Sequence, residues 1–252
     1  MLLTRMSRKV FRLLKFIENP KLFRLRQIGV PIDDFCLLNQ PWLTEGNINT
    51  VFDIGANVGQ FASLIHEVLS TVTIYSFEPL EDCYEKLKKK MQEVNNFRAF
   101  NLALGNTNGQ LTMHRSEHLP SSSMLPMSNL HKQNYPHATK YRTLEVRCAR
   151  LDDISKDLKI ENNLLIKIDV QGFEDKVIAG GKNVIKCAKI IIIETSFQPL
   201  YIGQPLFEDI YDSLKTDFRY MGALGNIRKN KLDGSPLFQD SIFVSKSSNV
   251  PS

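Results

Sequence analysis

The sequence predicts a Rossmann-like α/β fold: a mostly parallel seven-stranded sheet with helices on both faces and a late antiparallel hairpin. Three observations predict it. From about residue 48 onward, short apolar runs alternate with amphipathic stretches at helical spacing. The first run ends in a tight turn, Asp53-Ile54-Gly55, that opens a helix, as in doubly wound sheets. Two late strands flank Asp233-Gly234, which is a hairpin signal.

The chain divides at about residue 47. Residues 1–30 hold eight Arg or Lys (Arg5, Arg8, Lys9, Arg12, Lys15, Lys21, Arg24, Arg26) and one acid, Glu18, within a net charge of +5 for all 252 residues. The rest is therefore slightly acidic and gives no reason to expect a nucleic-acid partner. Val10, Leu13, Leu14 and Ile17 fall at i, i+3, i+4, i+7, so residues 1–47 read as a basic amphipathic helical segment. Such a helix either packs on the domain or makes peripheral contact with an anionic membrane or partner. Charges interrupt its apolar runs, so it does not read as a signal peptide. No apolar run approaches the ~20 residues that span a bilayer. Four scattered cysteines without a C-x-x-C pair point away from a disulfide scaffold or zinc knuckle. The expected location is cytoplasmic, with or without contact at the inner face of a membrane.

Residues 48–252 form the expected main domain. Strands are predicted at 49–54, 71–77 and 97–104, with helices between them marked by Phe61, Leu64, Ile65 and Val68 and by Tyr84, Leu87, Met91 and Val94. The alternation breaks from 106 to 150. There, strands at 110–115 and 142–147 enclose a Ser-, Pro- and His-bearing stretch, 119–140, with no clear element. A stretch of that length in a compact domain is usually functional or disordered, and an acceptor-covering lid is the functional reading. Ser121, Ser122 and Ser123 could then bond a polyol, and His131 or His137 could take a proton. Strands return at 164–168 and at 189–194, where Ile190 to Ile193 imply burial on both faces. A helix at 174–185 lies between them, a helix around Phe207–Leu214 follows, and the hairpin closes the chain at 220–228 and 241–245.

The turn after the first strand is the most informative segment. Gly55 and Gly59 let the backbone turn sharply and approach a ligand, with Ala56 and Asn57 between them. A dinucleotide loop would read G-x-G-x-x-G to meet a pyrophosphate, whereas here the spacing is G-x-x-x-G. The ligand expected is a nucleoside with an amino-acid end, which S-adenosylmethionine fits. Glu78 ends the second strand, 19 residues beyond Gly59, where an acid accepts hydrogen bonds from ribose hydroxyls. Asp53 completes the motif at the end of the first strand.

DIGANVGQFA (53–62), SFEP (76–79), NLALG (101–105), RLDDI (150–154), KIDVQGFE (167–174) and QDSIFV (239–244) together resemble the FkbM family of methyltransferases. The resemblance covers about residues 48–245. It implies a Rossmann-like sheet, S-adenosylmethionine as donor, and O-methylation of sugars, polysaccharide units or secondary metabolites. It places Asn101 and Ala103 beside Asp53, Gly55, Ala56, Asn57, Gly59 and Glu78 as cofactor residues. The family pattern commonly has Glu where this chain has Gln171. Residues before about 40 inherit nothing from the resemblance.

Methyl transfer from a sulfonium is an in-line displacement, so positioning and proton removal are the enzyme's tasks. The carboxyl end of the 164–168 strand should lie beside the methyl group. Alternation puts Lys167, Asp169 and Gln171 on one side there, and Asp169 is the leading candidate as base or as anchor of the cofactor's amino group. It could instead only cap the next helix. Gln171, Glu174 and His131 complete the catalytic candidates, and Glu194 ends the next strand where it too can face the site. His114 and His118 do not share a face, so no metal is expected. Two rivals remain at this point: a nucleotide-linked oxidoreductase or epimerase, and a non-catalytic binding module.

Overall fold

A computed structural model describes residues 20–27 and 30–248. The helical reading of Val10 to Ile17 lies outside the described residues. The chain enters through α1 (Pro20–Gln27) and α2 (Ile32–Leu38), then a single turn at Pro41–Thr44. It continues as β1 (Thr50–Ile54), α3 (Gln60–Val68), β2 (Thr73–Phe77), α4 (Glu81–Lys90) and β3 (Phe97–Phe100). The middle of the chain supplies β4 (Ala103–Leu104), β5 (Gly109–Ser116), α5 (Asn129–Asn134) and β6 (Tyr141–Ala149). Then come β7 (Leu164–Ile168), α6 (Glu174–Gly180), α7 (Lys182–Lys186), β8 (Ala188–Ser196), α8 (Phe207–Leu214), β9 (Phe218–Lys229) and β10 (Pro236–Ser245).

Seven strands form the main sheet in the order β3-β2-β1-β7-β8-β10-β9. The first five run parallel, while β10 is antiparallel to both β8 and β9. This is the Rossmann-like class I methyltransferase sheet that the sequence predicts. Strand order reverses between β1 and β7, so a ligand crevice is expected outside their carboxyl ends. The isoleucine run explains the two-sided burial: Ile190 and Ile192 enter one core, Ile191 and Ile193 the other, as a period of two requires.

Three details differ from the sequence reading. The 97–104 run splits, because Ala103 and Leu104 leave the main sheet and pair with Cys148 and Ala149 in a second sheet, β4-β6-β5. The 174–185 helix breaks at Gly181, whose missing side chain admits Leu151. The segment before residue 47 is no separate appendage where it is described. Leu22, Leu25, Phe35, Leu38 and Leu43 are buried in the same core as Val51 of β1. Burying each such side chain favours the fold by about 1.5–3 kcal/mol, which makes α1 and α2 part of the domain.

Candidate active site

A cavity of about 740 Å³ opens at the carboxyl ends of β1, β2 and β7, within the size range of small-molecule sites. Its inner part is built by the turn after β1. Gly55, Asn57 and Gly59 all take left-handed backbone (φ 82, 49 and 81). Glycine does this without cost, and Asn is among the few side chains that tolerate it, which is why the middle glycine can be missing. Gly55 and Ala56 donate their N–H groups to the Phe77 carbonyl, each at 3.0 Å. A side chain at Gly55 would fall on the Asp169 carbonyl oxygen.

Glu78 locks this turn to β2. Its carboxylate accepts the Asn57 N–H at 2.8 Å and the Leu80 N–H at 2.8 Å, and it lines the cavity. Burial pushes its pKa up to about 7, although both N–H bonds pull it down. Asp53 is fully buried and also lines the cavity. Its Oδ2 accepts from the Ser76 hydroxyl at 3.3 Å, while Oδ1 has no partner. Burial raises its pKa to about 6, with Lys167 pulling the other way.

The other wall is the loop after β7. Lys167 donates to Asp169 Oδ2 at 2.8 Å, and Gln171 Nε2 donates to Asp169 Oδ1 at 2.8 Å. Burial alone would raise the Asp169 pKa, but the Lys167 charge and these bonds hold it below the ordinary range. Gln171 is left-handed (φ 56), which is costly for a residue with a long side chain. Long-range bonds hold it there. Its Nε2 also reaches Glu194 Oε1 at 3.1 Å, its Oε1 accepts from Tyr201 Oη at 2.9 Å, and its carbonyl accepts from Ser123 Oγ at 2.6 Å. Glu194, buried beside Asp169 and Glu174, has its pKa pushed well up.

Several residues singled out from the sequence do other work. Glu174 accepts the N–H groups of Val170 and Gly172 at 3.2 and 3.1 Å, so it clamps the loop and does not line the cavity. Burial raises its pKa to about 7. His131 does not line the cavity either. It is buried beside Tyr201 (Nε2 to Oη, 3.4 Å), and burial lowers its pKa to about 4, a poor proton acceptor. Asn101 donates to the Glu78 and Pro79 carbonyls and stands behind the site, whereas Ala103 lines it. The 119–140 stretch has structure of its own. Leu119, Pro120, Ser122 and Met124 line the cavity, but α5 and its surroundings pack on Tyr201 and Leu237 instead of covering it. The Ser122 hydroxyl accepts the Ser116 N–H, and the Ser123 hydroxyl accepts the Leu125 N–H while donating to the Gln171 carbonyl. Sequence reasoning missed Tyr201 and Asp240. Asp240 sits inside the QDSIFV motif, which was a signal; Tyr201 carried none.

The sheet order and the glycine turn after β1 are those of a class I methyltransferase, the class of enzyme whose methyl donor is S-adenosylmethionine. A family description, the methyltransferase FkbM domain, matches residues 53–222, and the chain belongs to that family. A relative described as 2-O-methyltransferase NoeI, from Sinorhizobium fredii, is 30% identical over 170 residues, which cover 65% of this chain and 70% of the relative. Methyltransferase sdnD of Sordaria araneosa is 25% identical over 154 residues, 52% of this chain and 59% of that one. Among solved structures, a SAM dependent methyltransferase from Aquifex aeolicus aligns with a TM-score of 0.42 at 11% identity, covering 88% of this chain and 98% of that one. Family membership sets aside the oxidoreductase and epimerase readings. Among the described residues, no helix is long and apolar enough to cross a membrane.

Proposed function

We propose that the chain methylates a hydroxyl group of a sugar, glycan or hydroxylated secondary metabolite. The observation that carries this reading is Asp169, an ionised carboxylate at the cavity wall, held by Lys167 and Gln171 beside the Gly55 turn. When bound, S-adenosylmethionine supplies an electrophilic methyl group on sulfur. In our reading, Asp53 Oδ1 takes the ammonium of the amino-acid end and Glu78 accepts from the ribose hydroxyls. Gly55 keeps the turn thin enough for close approach, and Ala103 borders the base. Asp169 accepts the hydrogen bond of the acceptor hydroxyl and so orients its oxygen. A carboxylate of lowered pKa is a weak base, so orientation outweighs proton abstraction in its contribution. The relative described as a 2-O-methyltransferase supports oxygen as the accepting atom.

The test is a labelled-methyl transfer screen over free sugars, oligosaccharides and hydroxylated small molecules, with the product bond identified. Label in an ether supports the reading. Label in an amine, a carbon or an ester overturns it.

In the same reading, residues 48–252 hold the donor site, α1 and α2 pack onto them, and the basic residues before 20 contact an anionic membrane surface. Leu22 and Leu25 are buried, so the informative truncation stops at residue 19. Removing residues 1–19 should leave turnover intact and reduce sedimentation with phosphatidylserine vesicles. Unchanged sedimentation overturns the membrane part.

A further inference from the structure

Tyr201 is among the largest side chains that the fold buries completely, and it does not line the cavity. Its backbone is fixed by Gln204. Gln204 Oε1 accepts the Leu200 and Tyr201 N–H groups at 2.8 and 3.0 Å, and its Nε2 donates to Ser196 Oγ at 2.7 Å. The ring lies against Gly172, where a Cβ would stand 3.2 Å from Tyr201 Cδ2. So placed, the phenol oxygen reaches three neighbours: Gln171 Oε1 at 2.9 Å, the Ser121 carbonyl at 3.3 Å and His131 Nε2 at 3.4 Å.

A phenol has one hydrogen to give. Gln171 Oε1 can only accept and is the nearest of the three, so the hydrogen goes there. His131 Nε2 must then bring its own hydrogen, because a bare nitrogen would face the phenol's lone pairs with nothing between them. That fixes the neutral imidazole in its Nε2–H form and leaves Nδ1 a bare acceptor. Nδ1 is buried and has no partner among the described residues, so a second hydrogen there would have nowhere to go. Burial, with His118 and His137 nearby, lowers the pKa of this ring to about 4 and keeps it neutral.

The direction of the phenol bond carries on through the Gln171 amide. Its two hydrogens go to Asp169 Oδ1 at 2.8 Å and Glu194 Oε1 at 3.1 Å. Turned over, the amide would set its carbonyl oxygen against both carboxyl groups. Asp169 depends on this donor, since Asp53, Glu174, Glu194 and Asp240 all oppose its charge and Lys167 is the cation that answers them. With Lys167 on Oδ2 and Gln171 on Oδ1, the plane of the carboxylate is fixed. Each oxygen keeps a lone pair free for a hydroxyl in the cavity.

We infer that Tyr201 and His131 are positioning residues of the transfer. Hydrogens point one way from His131 through Tyr201 and Gln171 to Asp169, and this chain sets the plane of the carboxylate that orients the acceptor hydroxyl. Neither Tyr201 nor His131 lines the cavity, so both act through Gln171. The inference rests on the reading of Asp169 given above for what the fixed carboxylate does, and not for how it is fixed.

Two NMR measurements on the full chain test this without an acceptor. In nitrogen-15 spectra of histidine-labelled protein, the His131 signals are those missing from His131→Gln. At a pH of about 6 that ring should be neutral and carry its hydrogen on Nε2. A hydrogen on Nδ1, or a cationic ring, overturns the direction of the chain. The second measurement follows the Gln171 side-chain amide, identified by its absence from Gln171→Gly. Tyr201→Phe keeps the ring on Gly172 and removes only the hydroxyl, so a merely packing role would leave that amide unmoved. The chain instead predicts amide exchange with solvent at least about tenfold faster. S-adenosylhomocysteine affinity should stay within about twofold, and kcat on an acceptor found by the screen should fall about tenfold at unchanged donor KM. Ser123→Ala frees the Gln171 carbonyl on the same loop and leaves the chain intact, so it controls for general loosening. Unchanged amide exchange in Tyr201→Phe overturns the inference, as does equal acceleration in Ser123→Ala. If Tyr201→Phe does not fold, the wild-type histidine spectrum decides. If the amide responds but label never enters a hydroxyl, the reaction is wrong and the chain right. Ether formation with an unmoved amide would leave the reaction right and the chain wrong.

Discussion

Two loops meet at the switch point of the sheet, and they reach the same kind of backbone by different means. The loop after β1 turns through left-handed Gly55, Asn57 and Gly59. The loop after β7 turns through left-handed Gln171 and Gly172. In the first, the residue types themselves permit the conformation. In the second, a side chain that disfavours it is held by partners from three other places in the chain: Ser123, Glu194 and Tyr201. The first loop is intrinsic and the second is enforced, so substitutions should act on them differently.

The largest expected effect is at the contact between them. Gly55→Ala adds a methyl group where the Asp169 carbonyl oxygen stands, at a φ that L side chains rarely adopt. The backbone of one loop must move. Destabilisation by at least about 3 kcal/mol is expected, with S-adenosylhomocysteine binding lost. Thermal unfolding and calorimetry measure both, and near-normal values for the two would show that the loops are not in contact.

Asp169→Asn comes next and acts through chemistry more than through shape. The substitution keeps the size of the side chain but leaves Lys167 without its charge partner. Turnover should fall by about 10²–10⁴-fold if Asp169 orients the acceptor and receives its proton. A loss confined to cofactor affinity, with the single-turnover rate at saturating donor unchanged, would instead make it an anchor of the donor's amino group. The N-cap of the helix after β7 is Phe173 and Asp169 does not cap it, so wild-type behaviour in both would undo the assignment of the β7 loop.

Gln171→Gly separates the intrinsic loop from the enforced one. It relieves left-handed strain, a gain of roughly 0.5–1 kcal/mol. It also removes side-chain hydrogen bonds to Asp169, Glu194 and Tyr201, each worth about 1 kcal/mol, and leaves a buried Glu194 without that donor. The balance should be a net loss of about 2–2.5 kcal/mol in unfolding free energy, with a larger proportional loss of turnover. A more stable and fully active variant would mean that the network enforces nothing.

The same contrast explains what could be read from the sequence. The inner half of the cavity was legible because its requirement is local: glycine spacing, then an acid at the end of the next strand. The β8 isoleucine run was legible for the same reason, since two-sided burial leaves a mark in composition alone. His131 and Glu174 were misplaced because their surroundings are set by partners far away in sequence. Tyr201 covers one and the Val170–Gly172 backbone absorbs the other. The contact between α2 and the β9–β10 hairpin was illegible because the two meet only in the folded chain, nearly 190 residues apart. The split of the 97–104 run depends on pairing with Cys148 and Ala149, which no local pattern announces.

The smallest effect tests the electrostatic side of the comparison. In the inner loop, burial raises Asp53 to about 6 and Glu78 to about 7, whereas in the enforced loop Lys167 helps to hold Asp169 low. Asp169 therefore stays ionised from pH 8 to pH 6, while the inner pair titrates in that window together with Glu174, which does not line the cavity. In the proposed function both inner carboxylates accept, from an ammonium and from ribose hydroxyls, in their ionised form. Donor affinity should accordingly weaken as pH falls, by about twentyfold between pH 8 and pH 6. The stability of the unliganded protein moves the opposite way. A carboxyl whose pKa is raised by folding binds its proton more tightly in the folded state. Its contribution is full below the unfolded value near 4 and is lost as pH rises through 6 to 7. Calorimetry across this range reads the affinity, and thermal unfolding without ligand reads the stability. Glu78→Gln should flatten most of the affinity profile while Asp169→Asn leaves its shape unchanged. If Asp169→Asn flattens it instead, the titrating group belongs to the enforced loop, and the division of charge between the two loops is wrong.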